Sequence, residues 1–186
     1  MSTVTKGVTI KTTTFHEIMA VSDGWGWARL LWEDATGRVN INSDYGDWSY
    51  CWTAIGTKTL AQFLNQLSSG YMGEKMLGVG LREHSDGKTV AYIRKAIIRD
   101  RKDGELTKEE AKEEWTNVKY YGDGDWDFRM WCGETSYEDP WGFACDDVNG
   151  QWVSFWDHIW VPLIKPALAE VNATDIETAR SGKQGN

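Results

Sequence analysis

The chain has 186 residues, 41% of them apolar and 26% charged, and carries a formal net charge of −8 from 20 basic and 28 acidic side chains. That composition belongs to a folded globular protein rather than a disordered one, and its acidic excess disfavours general affinity for nucleic-acid phosphates, which needs clustered Lys and Arg. Three cysteines (Cys51, Cys132 and Cys145) are odd in number and widely spaced, which argues against a disulfide framework and fits a reducing cytoplasm. Met1 to Thr14 lacks the basic start and apolar core of a signal peptide, and no run approaches the ~18 apolar residues of a membrane span. The expectation is a soluble, unexported protein: one α+β domain over residues 1–171 and a polar, disordered tail over 172–186.

Residues 7–55 read as strands. Val8, Ile10 and Thr12 alternate with polar neighbours, and Trp25, Trp27, Arg29 and Leu31 alternate with Ala28, Leu30 and Trp32. Val39 and Ile41 follow, then Trp48, Tyr50 and Trp52, with Asp34-Ala35-Thr36-Gly37 and Asp44-Tyr45-Gly46-Asp47 as turns and Gly37 free to take a positive φ. The simplest arrangement is a three- or four-stranded antiparallel sheet with one aromatic face, packed with about four to five helices. Thr59 is a candidate N-cap ahead of Leu60, Phe63, Leu64 and Leu67, a short helix covers Tyr71 to Leu77, and Val90, Ile93, Ile97 and Ile98 mark a helix to about Arg101. Thr107 and Glu110 are spaced as a capping box that opens a helix to about Tyr120. Residues 121–151 contain too many Gly, Asp and Pro for regular structure beyond a short strand at Phe128 to Trp131. A last helix runs from Trp152 to about Val171, with Pro162 and Pro166 expected to kink or interrupt it.

Charge is unevenly spread. Residues 123–147 hold eight acids against a single base, Arg129, so that −7 of the chain's −8 falls in this stretch, interleaved with Trp126, Phe128, Trp131, Tyr137, Trp141 and Phe143. Rings that anchor and carboxylates that steer are the ingredients of a protein interface. The leading expectation is therefore a non-enzymatic binder that docks on a basic protein surface, with Trp126, Trp131 and Trp141 as anchors and Asp123, Asp125, Asp127, Asp146 and Asp147 steering. The competing expectation is a single-stranded nucleic-acid binder that stacks bases on Trp25, Trp27, Trp48 and Trp52 and holds phosphates with Arg94, Lys95, Arg99, Arg101 and Lys102. A third is a small-ligand or acid–base site at Asp44 and Asp47, whose ordinary role is turn capping.

Catalytic and metal-binding motifs give no support to an enzyme. His16, His84 and His158 have no ligand spacing such as HExxH, and nothing in the spacing of Cys132, Cys145 and His158 gathers them. Aligning Gly104 with the glycine of a calcium loop puts Arg99 and Arg101 at ligand positions, and neither a GxSxG elbow nor a GxxxxGK[ST] loop occurs. The expected cofactor and metal content is none.

The run Ser43-Asp44-Tyr45-Gly46-Asp47-Trp48-Ser49-Tyr50-Cys51-Trp52, followed by Phe63-Leu64 and Tyr71-Met72, resembles a pattern in uncharacterised accessory proteins of tailed bacteriophages and prophages. Ile98-Arg99-Asp100-Arg101, Leu106 to Ala111 and Trp160-Val161-Pro162 are similar to later parts of it. The resemblance implies action in the infected bacterial cytoplasm and inhibition of a host defence or nucleic-acid-handling protein, as anti-CRISPR and anti-restriction proteins act; it supplies no catalytic residues.

Overall fold

In a computed structural model, the described residues are 2–5, 8–56, 58–120 and 128–172. They form two compact units: residues up to 81 together with those from 149 onward make the first, and residues 82–148, inserted between them, make the second. The class is α+β, as the sequence patterning predicts.

In the first unit, β1 (Ser2–Thr5) and β2 (Val8–Lys11) pair as a separate hairpin. The main sheet is an antiparallel meander of β3 (His16–Ser22), β4 (Gly26–Glu33), β5 (Arg38–Ser43) and β6 (Gly46–Cys51) in that order. The Val8 strand therefore lies outside the meander, and its place is taken by β3, which period-two reading passes over. The reason lies in the residues of β3: Met19 and Val21 are exposed, so apolar side chains occupy both faces and blur the alternation. In register, Ile18, Leu30, Ile41 and Trp48 form one row across the sheet, and Ala20, Ala28, Trp32 and Val39 share their face.

That face is covered by helices. Thr59 caps α1 (Leu60–Asn65) through a complete box with Gln62, and Asp34 adds a further acceptor for the Leu60 amide at 2.8 Å. Ser68 caps α2 (Ser69–Leu77), which lies by β6. After Gly150–Phe155 (α6), the chain widens into a π-helical stretch over Trp156–Ile164 and returns to α-helix at 165–172. Pro162 thus neither breaks nor ends the helix. It has no N–H to donate and its ring needs room beside the preceding turn, and a wider turn supplies that room. Trp152, Phe155, Ile159, Trp160 and Ile164 are fully buried against the sheet and α1–α2, each contributing roughly 1.5–3 kcal/mol of apolar transfer. The Trp152 indole N–H donates to the Ser69 carbonyl and hydroxyl at 3.2 and 3.1 Å, which fixes the register of α6 on α2. Gly73 stands where an added Cβ would lie 2.5 Å from Leu81 and 2.8 Å from Trp152, so α2 can approach this closely only without a side chain there.

The second unit is built on α3 (Asp86–Asp103) and α4 (Lys108–Tyr120), joined by residues 104–107. Ser85 caps α3 one turn ahead of the predicted start, and Gly104 ends it in the left-handed region at φ 81°. The Thr107–Glu110 box is present in both directions, and the hydroxyl of Thr107 holds the Glu110 carboxyl below its ordinary pKa. The stretch read as irregular forms α5 (Phe128–Glu134), a 3₁₀ turn at Pro140–Phe143 and β8 (Asp146–Val148), which pairs with β7 (Arg82–His84). Phe128 to Trp131 is thus helical, not extended. A run of seven residues whose inward positions are Phe128 and Trp131 shows period three only once, too briefly to be distinguished from a strand. Residues 121–127 and 173–186, including the predicted tail, lie outside the described residues.

Two buried carboxylates organise this unit. Asp100 accepts from the Tyr137 hydroxyl at 3.0 Å and from Arg99 Nε at 2.7 Å. Burial first, then the bond to Asp100, pushes the Tyr137 phenol well above its usual value, so it stays protonated and donating. Glu114 accepts from Thr135 Oγ1 at 2.8 Å and from the Ser136 amide and hydroxyl at 2.7 and 2.8 Å. It pins the turn after α5 to α4. Glu114→Ala leaves three donors unanswered and is expected to cost about 2 kcal/mol in urea unfolding, with Glu114→Gln losing less. A wild-type midpoint for Glu114→Ala would show that the turn holds without it.

A candidate anion groove between two helices

The acidic aromatic segment does not present its rings together. Trp131 is fully buried, Phe128 is 7% exposed, and Tyr137 and Phe143 pack on the same cluster with Ile93, Ile97 and Val118. Trp141 alone among the described proposed anchors is exposed, at 57%, with its ring edge on Phe128 at 5.4 Å. Asp123, Asp125, Trp126 and Asp127 lie outside the described residues. Asp146 is exposed on β8, opposite His84. Asp147 is bound to Lys88 at 2.8 Å, and that bond, with the Val148 amide, lowers its carboxyl pKa.

The sheet tryptophans do not form one platform. Trp48 and Trp52 face the helices: Trp48 meets Trp152 and Phe155 edge-on at 5.2 and 5.0 Å, and Trp52 is 5% exposed. Trp27 falls on the opposite face, since the buried apolar residues of β4 are its even-numbered neighbours Ala28, Leu30 and Trp32. Trp25 sits in the turn before β4, stacked on His158 with 3.5 Å between centroids. Asp44 accepts from the Trp27 amide at 3.0 Å and Asp47 from the Asn42 amide group at 3.1 Å, which is turn and cross-strand work.

Of the basic residues singled out on α3, Arg101 and Lys102 line a groove of about 650 Å³ between α3 and α4, and Arg94 lies over the ring of Trp115, one of the lining residues. Arg99 is committed to Asp100, a pairing that raises its pKa further. Ile97 and Ala111 lie in the floor, Ile98 and Trp115 are partly exposed walls, and Arg101, Lys102, Lys108 and Lys112 supply four cations. No carboxylate is among the lining residues. The flanking acids Glu109 and Glu113 line a smaller neighbouring cleft that shares Lys112 and Thr116 with the groove. The geometry follows from helical spacing: 94, 97, 98 and 101 share one face of α3, and 108, 111, 112 and 115 share one face of α4. A short connection turns those stripes toward each other. Trp115, Lys108 and Lys112 are the residues that motif reading misses, because each is unremarked until the two faces meet.

A groove of this size, apolar at its base and ringed by cations, has the makings of a site for a flat anionic ligand: a base or other ring stacks on Trp115 while phosphates meet Lys and Arg. Among the described residues no group of three or more His, Cys, Asp or Glu is placed to hold a metal ion, and no helix is long and apolar enough to cross a membrane. No curated protein and no solved structure matches the chain. A family model described as a phage family matches residues 8–170, which takes in both units, so the chain belongs to that phage protein family.

Proposed function

We propose that this phage protein binds single-stranded nucleic acid through the α3–α4 groove. The supporting observation is the concentration of Arg101, Lys102, Lys108 and Lys112 around Trp115 with no carboxylate in the lining, in a chain whose net charge is −8. Of the nominated phosphate contacts on α3, Arg101 and Lys102 line the groove and remain part of this reading, whereas Lys95 does not line it and Arg99 is paired with Asp100; the stacking surface moves from the sheet to Trp115.

Fluorescence anisotropy of labelled oligonucleotides tests it. Four phosphate contacts give a plot of log affinity against log salt with a slope of about −3, from roughly −0.7 per contact on single strands. Lys108→Ala with Lys112→Ala is expected to bring that slope to about −1.4 at unchanged thermal stability. Trp115→Ala removes one stacking surface and is expected to weaken binding about 10- to 100-fold, with Trp115→Phe intermediate. No binding at low salt, or binding indifferent to these changes, would remove the reading.

A second reading keeps the acidic surface. Trp141 is 57% exposed and follows Glu138 and Asp139, both exposed, so one ring and its acids remain open to a basic surface of a host defence protein in the infected cytoplasm. Loss of a host partner on Trp141→Ala, with retention on Trp115→Ala, would favour this reading over the first.

A further inference from the structure

The groove is bounded along its length, and its bounds select a ligand. At one end the chain turns from α3 to α4 through residues 104–107, beside Lys102 and Lys108. At the other, Arg94 reaches from α3 over the ring of Trp115 on α4, with its guanidinium carbon 5.5 Å from the ring centroid. This cation–π contact spans the two helices one turn beyond Ile97 and Ile98. Arg94 Nε is buried and has no acceptor among the described residues. An arginine N–H removed from water and left unpaired is a standing cost, relieved when the side chain turns to meet an anion.

From position 94 to position 102 the helix rises ~12 Å, room for about three nucleotides stacked at ~3.4 Å each. Building on the nucleic-acid reading, we propose that the groove is a closed-ended site for a segment of about three nucleotides carrying a terminal phosphate. Arg94 donates to that phosphate, the adjacent base lies on Trp115, and Lys112, Arg101, Lys102 and Lys108 take the following phosphates. The shared chemistry is a phosphorylated end, whether of a free short oligonucleotide or of a long strand. Arg94 fits this role better than a lysine would, because its delocalised cation lies over an indole and carries several N–H donors in one plane that match the oxygens of a phosphate.

The experiment is a length series of 2, 3, 4, 8 and 20 nucleotides, each with and without a 5′ or a 3′ phosphate, competed against a labelled 3-mer on the full chain. Affinity is expected to level off by three or four nucleotides. One of the two terminal phosphates is expected to improve binding about tenfold on the wild type, and less than twofold on Arg94→Lys, whose thermal unfolding serves as the folding control. Equal affinity for a phosphorylated 3-mer and 20-mer identifies strand ends as the ligand, and weaker binding of the 20-mer identifies free short oligonucleotides. Affinity that keeps climbing to 20 nucleotides overturns the closed-ended site while leaving nucleic-acid binding in place. A phosphate effect that survives Arg94→Lys overturns the assignment of Arg94. No binding at any length takes both readings away.

Discussion

Trp131→Ala is expected to unfold the inserted unit locally, at a cost of about 3–5 kcal/mol, the range for truncating a large buried aromatic ring. Trp131 is fully buried and makes ring contacts with Phe128, Tyr137 and Phe143 at centroid separations of 5.9, 6.3 and 5.6 Å. Removing it opens a void where α5, the turn after it and the 3₁₀ segment pack on the hydrophobic side of α3 and α4. Its indole N–H has no acceptor among the described residues, so the ring is held by packing and not by a polar bond. Trp131→Phe therefore removes an unpaired donor along with part of the ring and is expected to cost less than half as much. Trp141→Ala, at an exposed position, is expected to change stability by under about 1 kcal/mol. Amide exchange on α3 to α5, with the amides of the main sheet as internal reference, reads all three. Equal protection in the Trp131→Ala and Trp141→Ala chains would mean that the aromatic cluster does not hold this unit together.

The contrast between those two tryptophans marks where sequence reading stops. In the chain both sit among acids and glycines, and nothing adjacent to either says which turns inward. Periodicity resolves such questions when an element runs for several turns, as in α3 and α4, or when a cap marks its start, as Thr59 and Thr107 do. The segment from 128 to 148 is built from pieces of seven, four and three residues, and pieces that short carry no readable period. The α3–α4 groove is hidden for a different reason. Its α3 cations are legible as the polar side of a helix, but a site needs both helices in register, and the register is set by the four residues between them and by the shared core under Ile97 and Val118. The hairpin between β4 and β5 lies at the other extreme. Its turn chemistry is written in consecutive residues, and the predicted positive φ at Gly37 is present at 71°.

That glycine carries the second large effect. Gly37→Ala is expected to cost more than about 3 kcal/mol, from two sources that can be separated. The first is conformational: an L side chain in the left-handed region costs roughly 1–2 kcal/mol. The second is contact: a Cβ at this position would lie 1.8 Å from the carbonyl oxygen of Trp52 and 2.7 Å from its carbon, both backbone atoms that no rotamer change can move aside. The same residue donates to the Glu33 carbonyl at 3.0 Å and accepts from the Trp52 amide at 2.8 Å, so a shift that relieves the clash loosens the β4–β5 turn and the end of β6 together. Gly24 supplies the control. It has a similar φ of 78° in the β3–β4 turn, yet an added Cβ there meets nothing within 4 Å. Gly24→Ala should therefore show the conformational cost alone, and the excess of Gly37→Ala over it in urea unfolding measures the approach of Trp52 to the turn. If the two variants unfold at the same midpoint, the close packing of the Trp52 backbone on Gly37 contributes nothing to the sheet, and the strain of the turn accounts for the whole requirement for glycine.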